Sequence, residues 1–507
     1  MNYPVPILVL LLQACSLSTS GLGTIGADTI PPDDTADFSA ELDVLDDSED
    51  VLVDLPDPDM PIDLPVDLPP DTPPDEIIPD SPADTACLPG ATWCAGLETL
   101  EICNADGMGT ALETCRYYCL DGPPAHCAVP VPSNVNDAGL YCVPGTEGLN
   151  LPARTSIIFV DTDEGELSCY DESGYHIGEA TGFSFTQRTQ PDGAPGLGVF
   201  SFDSFTLPGG VELWAVGGHA FVILSCHDVT INGLLDAGAH GYTMDGVPYF
   251  KAGPGGSSAG DGLGAGGPGS EGGGSDEDGG GGGGGFGAIG GNGNSSVVGM
   301  AGGVYGSEEL VPLLGGSGGG KGADDSYGRG GSGGAGGGAL EISTPATITV
   351  NGTVSSAGYG GWGGGDAAAG GGGGSGGGIL LEAHTINIPA GAIVAANGGG
   401  GGGGSYWTGS DAVSYDGEKG HDGLTPAAGG SVIAGRYGCR GGNGNSADVV
   451  NGETAACGSG EVNGGGGGGG SGRIRINSKI DSILGNPLSP SLAAPATTTT
   501  LGYPKTE

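Results

Sequence analysis

Basic residues are the scarcest chemistry in this chain. Its 507 residues include 13 Lys and Arg against 61 Asp and Glu, a formal charge of −48, and no Lys or Arg precedes Arg116. A chain of this sign repels phosphate backbones and anionic headgroups, so nucleic acid is not an expected partner. Aromatic residues make up only 6%. No segment sustains a 3.6-residue period, so almost no helix is expected. No apolar run reaches the roughly 20 residues of a spanning helix. Catalytic motifs are missing too. There is no H-E-x-x-H, and the many Gly-x-Gly-x-x-Gly matches precede no helix that would hold a pyrophosphate. Gly-Gly-Gly-Lys321 mimics a phosphate loop, but Gly322 stands where Ser or Thr is required. The glycines keep no strict third-residue repeat, which excludes collagen.

What is present begins with "MNYPVPILVLLLQACSLSTSG". The apolar stretch from Val5 to Leu12 is signal-peptide length, although its first residues carry no Lys or Arg. Leu12-Gln13-Ala14-Cys15 resembles the bacterial lipobox, which implies acylation at Cys15 and export through Sec. The alternative is an ordinary cleaved signal that leaves Cys15 as a thiol. Ser16 after the cysteine, by resemblance to Gram-negative lipoproteins, implies the outer membrane. Residues 1–14 are then the signal peptide, and 15–86 an Asp/Pro-rich stalk typified by "DLPDPDMPIDLPVDLPPDTPPD". Proline and like-charge repulsion extend such a tract, to roughly 200 Å at full stretch. A cation-binding tract is the competing reading, without the glycine turn of an EF-hand.

Residues 87–128 hold Cys87, Cys94, Cys103, Cys115, Cys119 and Cys127. A segment of about forty residues cannot rely on a hydrophobic core alone, so three disulfides are expected, their pairing left open by the spacing. Zinc is the competing reading, with only the Cys115–Cys119 spacing in its favour. Asn104-Ala105-Asp106-Gly107 suggests a hairpin turn. The segment resembles small cysteine-rich repeats that follow stalks in secreted proteins of myxobacteria-like organisms.

From 129 to 245 the chain alternates apolar and polar residues, broken by glycine every 8 to 12 or so positions, an all-β signal. Four stretches align: "FVILSCHDVTINGLLDAGAHG" from 221, "ALEISTPATITVNGTVSSAGYGG" from 339, "GILLEAHTINIPAGAIVAANGGG" from 378 and "GRIRINSKIDSILGNPLSPSL" from 472. The repeat suggests an all-β fold, a β-solenoid with glycine-rich insertions over 246–480, followed by a tail at 481–507. Its core candidates are Ile342, Ile348, Val350, Val354, Leu380, Ile386, Ile388, Ile393, Ile474 and Ile476, with Arg473 and Arg475 pointing out. An antiparallel sandwich is the competing fold.

The insertions carry most of the 114 glycines. They read either as flexible coil or as ordered polyglycine strands, packed closely because no Cβ intervenes. The glycine-rich half resembles bacterial surface proteins of the PE-PGRS type, without their PE portion. Five cysteines remain outside Cys15 and the six-cysteine segment; the expected pairs are Cys142–Cys169 and Cys439–Cys457, leaving Cys226. In "SCHDV" strand alternation separates His227 from Cys226 and Asp228, which excludes a triad. Asp276-Glu277-Asp278 is a weak cation candidate outside any calcium-repeat pattern. Trp362, Tyr406 and Trp407, with Tyr242, Tyr249 and Tyr359, lie where flat rings could stack on glycans or simply anchor loops.

The sequence therefore points to a lipid-anchored cell-surface protein with a structural or adhesive role, its partners being the membrane through the anchor, glycans or other surface proteins. No catalysis, cofactor or metal is expected. A carbohydrate-binding or polysaccharide-degrading β-helix is the alternative. Degradation needs carboxylate pairs and basic groups on one face, whereas five lysines and eight arginines are scattered, with Asp324-Asp325 the lone adjacent Asp pair in the glycine-rich half.

Overall fold

A computed structural model describes residues 87–507, except 192, 245–246, 273–276, 295–296, 407–413, 433–437, 446, 459–461 and 495–498, and except the side chains of 242–250. The expected signal, Cys15 and stalk lie outside the described residues. Among those described there is no α-helix, only a 3₁₀ turn at Ala138–Leu140.

The aligned repeats lie on one another in parallel. Phe221 pairs with Leu340, Leu340 with Ile379, and Ile379 with Ile474. One sheet runs, in spatial order, Phe183–Arg188, Leu197–Phe202, Ala220–Ser225, Ala339–Val350, Gly378–Ile388, Arg473–Ile483 and Thr499–Gly502. Its long strands bend partway. Their second halves continue a side row in which Phe205–Leu207 pairs with Val229–Ile231, and Val229 with Ile348. A second sheet runs His176–Glu179, Glu166–Tyr170, Ile157–Asp161, Glu212–Val216, Leu234–Asp236, Thr353–Ser355, Ile393–Ala395 and Leu488–Ser489. Pairing is parallel throughout except at the first members, where Phe183–Arg188, Glu166–Tyr170 and His176–Glu179 are antiparallel.

Between the sheets lies one apolar core. Phe200, Phe202, Phe205, Leu213, Ile223, Ile231, Leu340, Ile342, Ile348, Val354, Ile379, Ile386, Ile474 and Ile476 are essentially inaccessible there. Each such side chain contributes about 1.5–3 kcal/mol by leaving water. Two expected members belong elsewhere. Leu380 faces away, into a second cluster with Leu197, Val199, Val222, Leu313 and Phe286. Ile393 is half-buried and its neighbour Val394 takes the core position. Arg473 does face away from the core, but it is buried under the Phe286 ring, 5.7 Å from its centroid, because the glycine-rich chain covers that face. The boundary expected at 480 falls inside Arg473–Ile483, so the sheets continue into the expected tail.

The insertions leave the stack at one corner, after the second sheet and before the first, at 237–338, 356–377 and 396–472. Their described residues pack side by side. Residues 370–377 illustrate the pattern. Gly370, Gly373 and Gly376 donate to Gly464, Gly467 and Gly470. Gly371, Gly374 and Gly377 donate to Trp362, Tyr359 and Ser356, while Gly372 and Ser375 donate to Gly320 and Ser317. The same segment accepts from 281 and 284, from 334 and 337, and from 399 and 402. Donors therefore turn to a new neighbour each residue and return every third, the symmetry of an extended three-residue helix. Space enforces glycine here. A Cβ on Gly372 would sit 2.0 Å from the Gly282 carbonyl oxygen, and on Gly466 1.9 Å from that of Gly371.

The six-cysteine segment is a three-stranded antiparallel sheet with bridges Cys87–Cys103, Cys94–Cys119 and Cys115–Cys127. Its turn at 104–109 places Gly107 at φ +68°. Lys479 fastens it to the first sheet, reaching Glu98 (2.6 Å) and the carbonyls of Arg116 and Tyr117. Cys439 is joined to Cys457. The expected Cys142–Cys169 pair is corrected: Cys142 bonds Cys226, and Cys169 is a buried thiol. Cys169 points into the core from the middle of its strand, whereas Cys226 lies just past a strand end, where a covering segment can reach it.

Two outcomes are expected in thermal or urea unfolding. Gly372→Ala destabilises by about 3 kcal/mol, the cost of forcing a group into filled space, while Gly303→Ala, whose Cβ would meet nothing within 4 Å, changes stability by less than about 0.5 kcal/mol. Cys226→Ser opens an 84-residue loop and costs about 2–5 kcal/mol.

Candidate functional site

Two buried polar clusters stand out, each on an outward face of a sheet and each roofed by another segment. On the first sheet, Glu341 and Glu382 come from neighbouring strands, offset by one pairing step, since Ser343 is the partner of Glu382. Glu341 is fully buried and Glu382 2% exposed. The roof is the stretch after the six-cysteine sheet. Ser133 gives its N–H (2.9 Å) and hydroxyl (2.6 Å) to Glu382, and Asn134 donates to Glu341 at 3.0 Å. Asn477 donates to Glu382 at 2.8 Å, and Tyr141 shares a 2.7 Å hydrogen bond with Ser343. Burial, then the neighbouring Glu382 carboxylate, pushes the Glu341 carboxyl well above its ordinary 4.5, which favours its protonated form. The pair is a clamp for the roof.

The second cluster sits on the outward face of the second sheet. One column of register partners runs Phe159, Trp214, Asp236, Ser355, Ala395, Ser489. Asp236 is the lone acid in it, and it is 3% exposed. Its Oδ1 accepts from the Gly238 amide at 2.7 Å, and its Oδ2 lies 2.6 Å from Lys419 Nζ. Ser355 donates to Asp422. The His240 ring stacks on Trp214, centroids 5.4 Å apart, and Trp214 meets Phe159 edge-on. His240 Nε2 is buried without a partner.

Electrostatics divide the two acids. Burial opposes charge on Asp236, but Lys419, His240 and the Gly238 amide outweigh it and hold its carboxyl below the ordinary range. Burial, then the Asp236 charge, raises the Asp422 carboxyl. Burial also lowers His240 to about 4, so it is neutral at pH 7. The result is an ammonium and a carboxylate in contact, with a second carboxyl alongside whose proton is held more tightly than usual. The lysine is held firmly. Gly417 and Gly420 donate to Gly361 and Gly358, and Glu418 exchanges hydrogen bonds with Gly400 and Ala428. Asn397 donates to the carbonyls of His421 and Gly423, on either side of Asp422.

The residues expected to matter are dispersed. Trp362, Tyr359 and Tyr406 are half-buried, and the amide and carbonyl of Trp362 bond Ser332 and Gly371 within the glycine bundle. Trp407 lies outside the described residues, as do the side chains of Tyr242 and Tyr249. In "SCHDV", His227 Nδ1 lies 3.3 Å from Asp203, and their ligand atoms cluster with Cys226 sulfur. That sulfur is committed to Cys142, so no thiolate is available there to a metal. Glu271, Asp278, Asp324 and Asp325 line a shallow depression of about 280 Å³. There Lys321 bonds Asp324 at 2.6 Å and holds its carboxyl low. Asp276 of the cation candidate lies outside the described residues.

Neither cluster was read from the sequence, though signals exist. Glu341 and Glu382 fall within aligned repeats, and Asp236 heads the aligned positions that Ser355, Ala395 and Ser489 continue. Searches against protein-family models, curated proteins and solved structures return no match.

The Glu341 carboxyl makes stability pH-dependent. Below the ordinary value both folded and unfolded chains hold the proton. As pH rises beyond it, the unfolded chain releases its proton first, and stability falls until the folded carboxyl also ionises. Glu341→Gln, which keeps a donor towards Glu382 and an acceptor for Asn134, is expected to flatten that fall and raise stability at pH 7. Urea midpoints measured from pH 4 to 9 check it.

Proposed function

We propose that this chain is a lipid-anchored cell-surface protein with a structural or adhesive role, a β-solenoid stiffened by its own glycine-rich insertions. The observation that carries this reading is the packing of those insertions. Segment 370–377 exchanges backbone hydrogen bonds with six others, and backbone carbonyls fill the space where side chains would stand. Such a body offers a firm, extended surface. Five disulfides favour an oxidising compartment outside the cytoplasm. Among the described residues no helix is long and apolar enough to cross a membrane, so attachment in this reading rests on acylated Cys15 and reach on the Asp/Pro stalk. A polar, acidic surface suits adhesion to glycans or to other surface proteins better than to nucleic acid.

The test is protease shaving of intact cells that produce the chain or its Cys15→Ala variant. Cleavage within residues 15–86 on intact cells, with the variant released to the medium or periplasm, is expected. Protection until the outer membrane is broken would overturn surface display, and retention of the variant in membranes would overturn the anchor.

A further inference from the structure

The Lys419–Asp236 contact has features that an ion pair does not need. It joins segments 183 residues apart, one in the second sheet and one in the last large insertion. The acid is buried among ring and backbone groups, and both backbones are held by hydrogen bonds on two sides. Ala237 and Ala239 donate to Ser355 and Ala357, and Gly417 and Gly420 to Gly361 and Gly358. A third functional group, Asp422, stands at the same point, oriented by Ser355 and bracketed by Asn397. Amine, carboxyl and a neighbouring carboxyl group, fixed together with Asp236 buried and Lys419 27% exposed, are the components of an amide condensation.

We propose that Lys419 and Asp236 become joined by an isopeptide bond between Nζ and Cγ, made by the folded protein itself. The ammonium passes one proton to the Asp236 carboxylate, leaving a neutral amine and a neutral acid. The nitrogen lone pair attacks Cγ, the N–C bond forms, and one C–O bond breaks. The departing oxygen leaves as water with the two protons that the nitrogen has lost. Asp422 gives a proton to that oxygen and recovers one from nitrogen, ending unchanged. One positive and one negative charge disappear, and no oxidant, reductant or other reactant is consumed. Fixed contact supplies the driving arrangement: well-oriented intramolecular partners behave as if at about 10⁵–10⁸ M. Burial of Asp236 favours the reaction further, because a neutral amide removes a charge taken out of water. The bond would tie the glycine bundle covalently to the sheet stack, independently of how the chain is anchored or displayed.

The measurement is peptide mass mapping of the folded full chain, denatured, reduced and digested with trypsin. Unlinked protein is cut after Lys251, Lys419 and Arg436. In linked protein the acylated Lys419 resists trypsin, so the expected product is a branched peptide joining 189–251 to 330–436, one water lighter than the two together. Lys419→Arg, which keeps a cation beside Asp236, is expected to yield separate peptides and no lost water. Complete cleavage after Lys419 in the wild type would overturn the proposal and leave an ion pair. Loss of water without the branched peptide would overturn it as well, assigning the loss to cyclisation at an Asp–Gly step.

Discussion

The close approach of one peptide backbone to another governs this molecule. In the glycine bundle a Cβ at Gly283, Gly372 or Gly466 would lie about 2 Å from a carbonyl oxygen of the next segment, far inside contact distance. None of these three glycines has a positive φ, so the conformation itself would admit other residues and only the space forbids them. Removing the side chain lets each N–H find a carbonyl in the adjacent segment. The entropy lost on ordering glycine is offset by the backbone hydrogen bonds between segments. The ordinary device for stabilising a domain, burial of apolar side chains, acts mainly in the neighbouring sheet stack, with Phe286, Leu310 and Leu313 of the insertions joining a cluster on its outward face.

The two bodies are joined by side chains at their seam. Asn397 is buried there, receives the Ser489 hydroxyl at 2.7 Å and the Asn445 amide at 3.1 Å, and donates to the chain around Asp422. Arg473 opens the last long strand, lies under Phe286 and donates to the Tyr305 carbonyl. On the same outward face of the first sheet Glu341 and Glu382 hold the segment that descends from the six-cysteine sheet. Charge inside this protein is therefore found where one body must be registered on another. Most of the 61 acids have no such task.

The repeat made much of the stack legible. Aligned text became aligned strands, pair by pair, because a stack of parallel strands demands the same in–out alternation at each level. Alternation alone does not say what covers the outward face, however. Leu380 and Arg473 were assigned by parity, and both are buried because Phe286 and residues 305–314 roof that face. The expected Cys142–Cys169 pair failed for a related reason, while Cys439–Cys457 formed as expected. Cys142 lies in an irregular segment, whose destination local pattern does not encode, and it reached Cys226 rather than Cys169. The polar cluster at Asp236 was less legible still. Lys419 stands out as a rare cation, yet its partner is 183 residues away and only the order of the glycine segments brings them together.

That order is itself a matter of register. Along residues 370–377 the donors address three different neighbours in turn, so sliding the segment by one residue would aim every N–H at the wrong strand. Uniform glycine cannot resist such a slip, because each residue resembles the next. The exceptions supply the marks. Ser317 and Ser375 are fully buried and meet each other, the Ser317 amide donating to the Ser375 hydroxyl at 2.9 Å. Asn463 donates to the carbonyls of Ala367 and Ser405 from within the bundle. A buried side-chain donor or acceptor costs about 1–3 kcal/mol when left unpaired, so a slip that separates these partners is penalised where polyglycine alone would be indifferent. The stack adds the coarser constraint, since each insertion must leave and re-enter at one corner. Disordered-looking composition thus acquires one structure through a few polar pegs set in a lattice that admits nothing larger than hydrogen at its contacts.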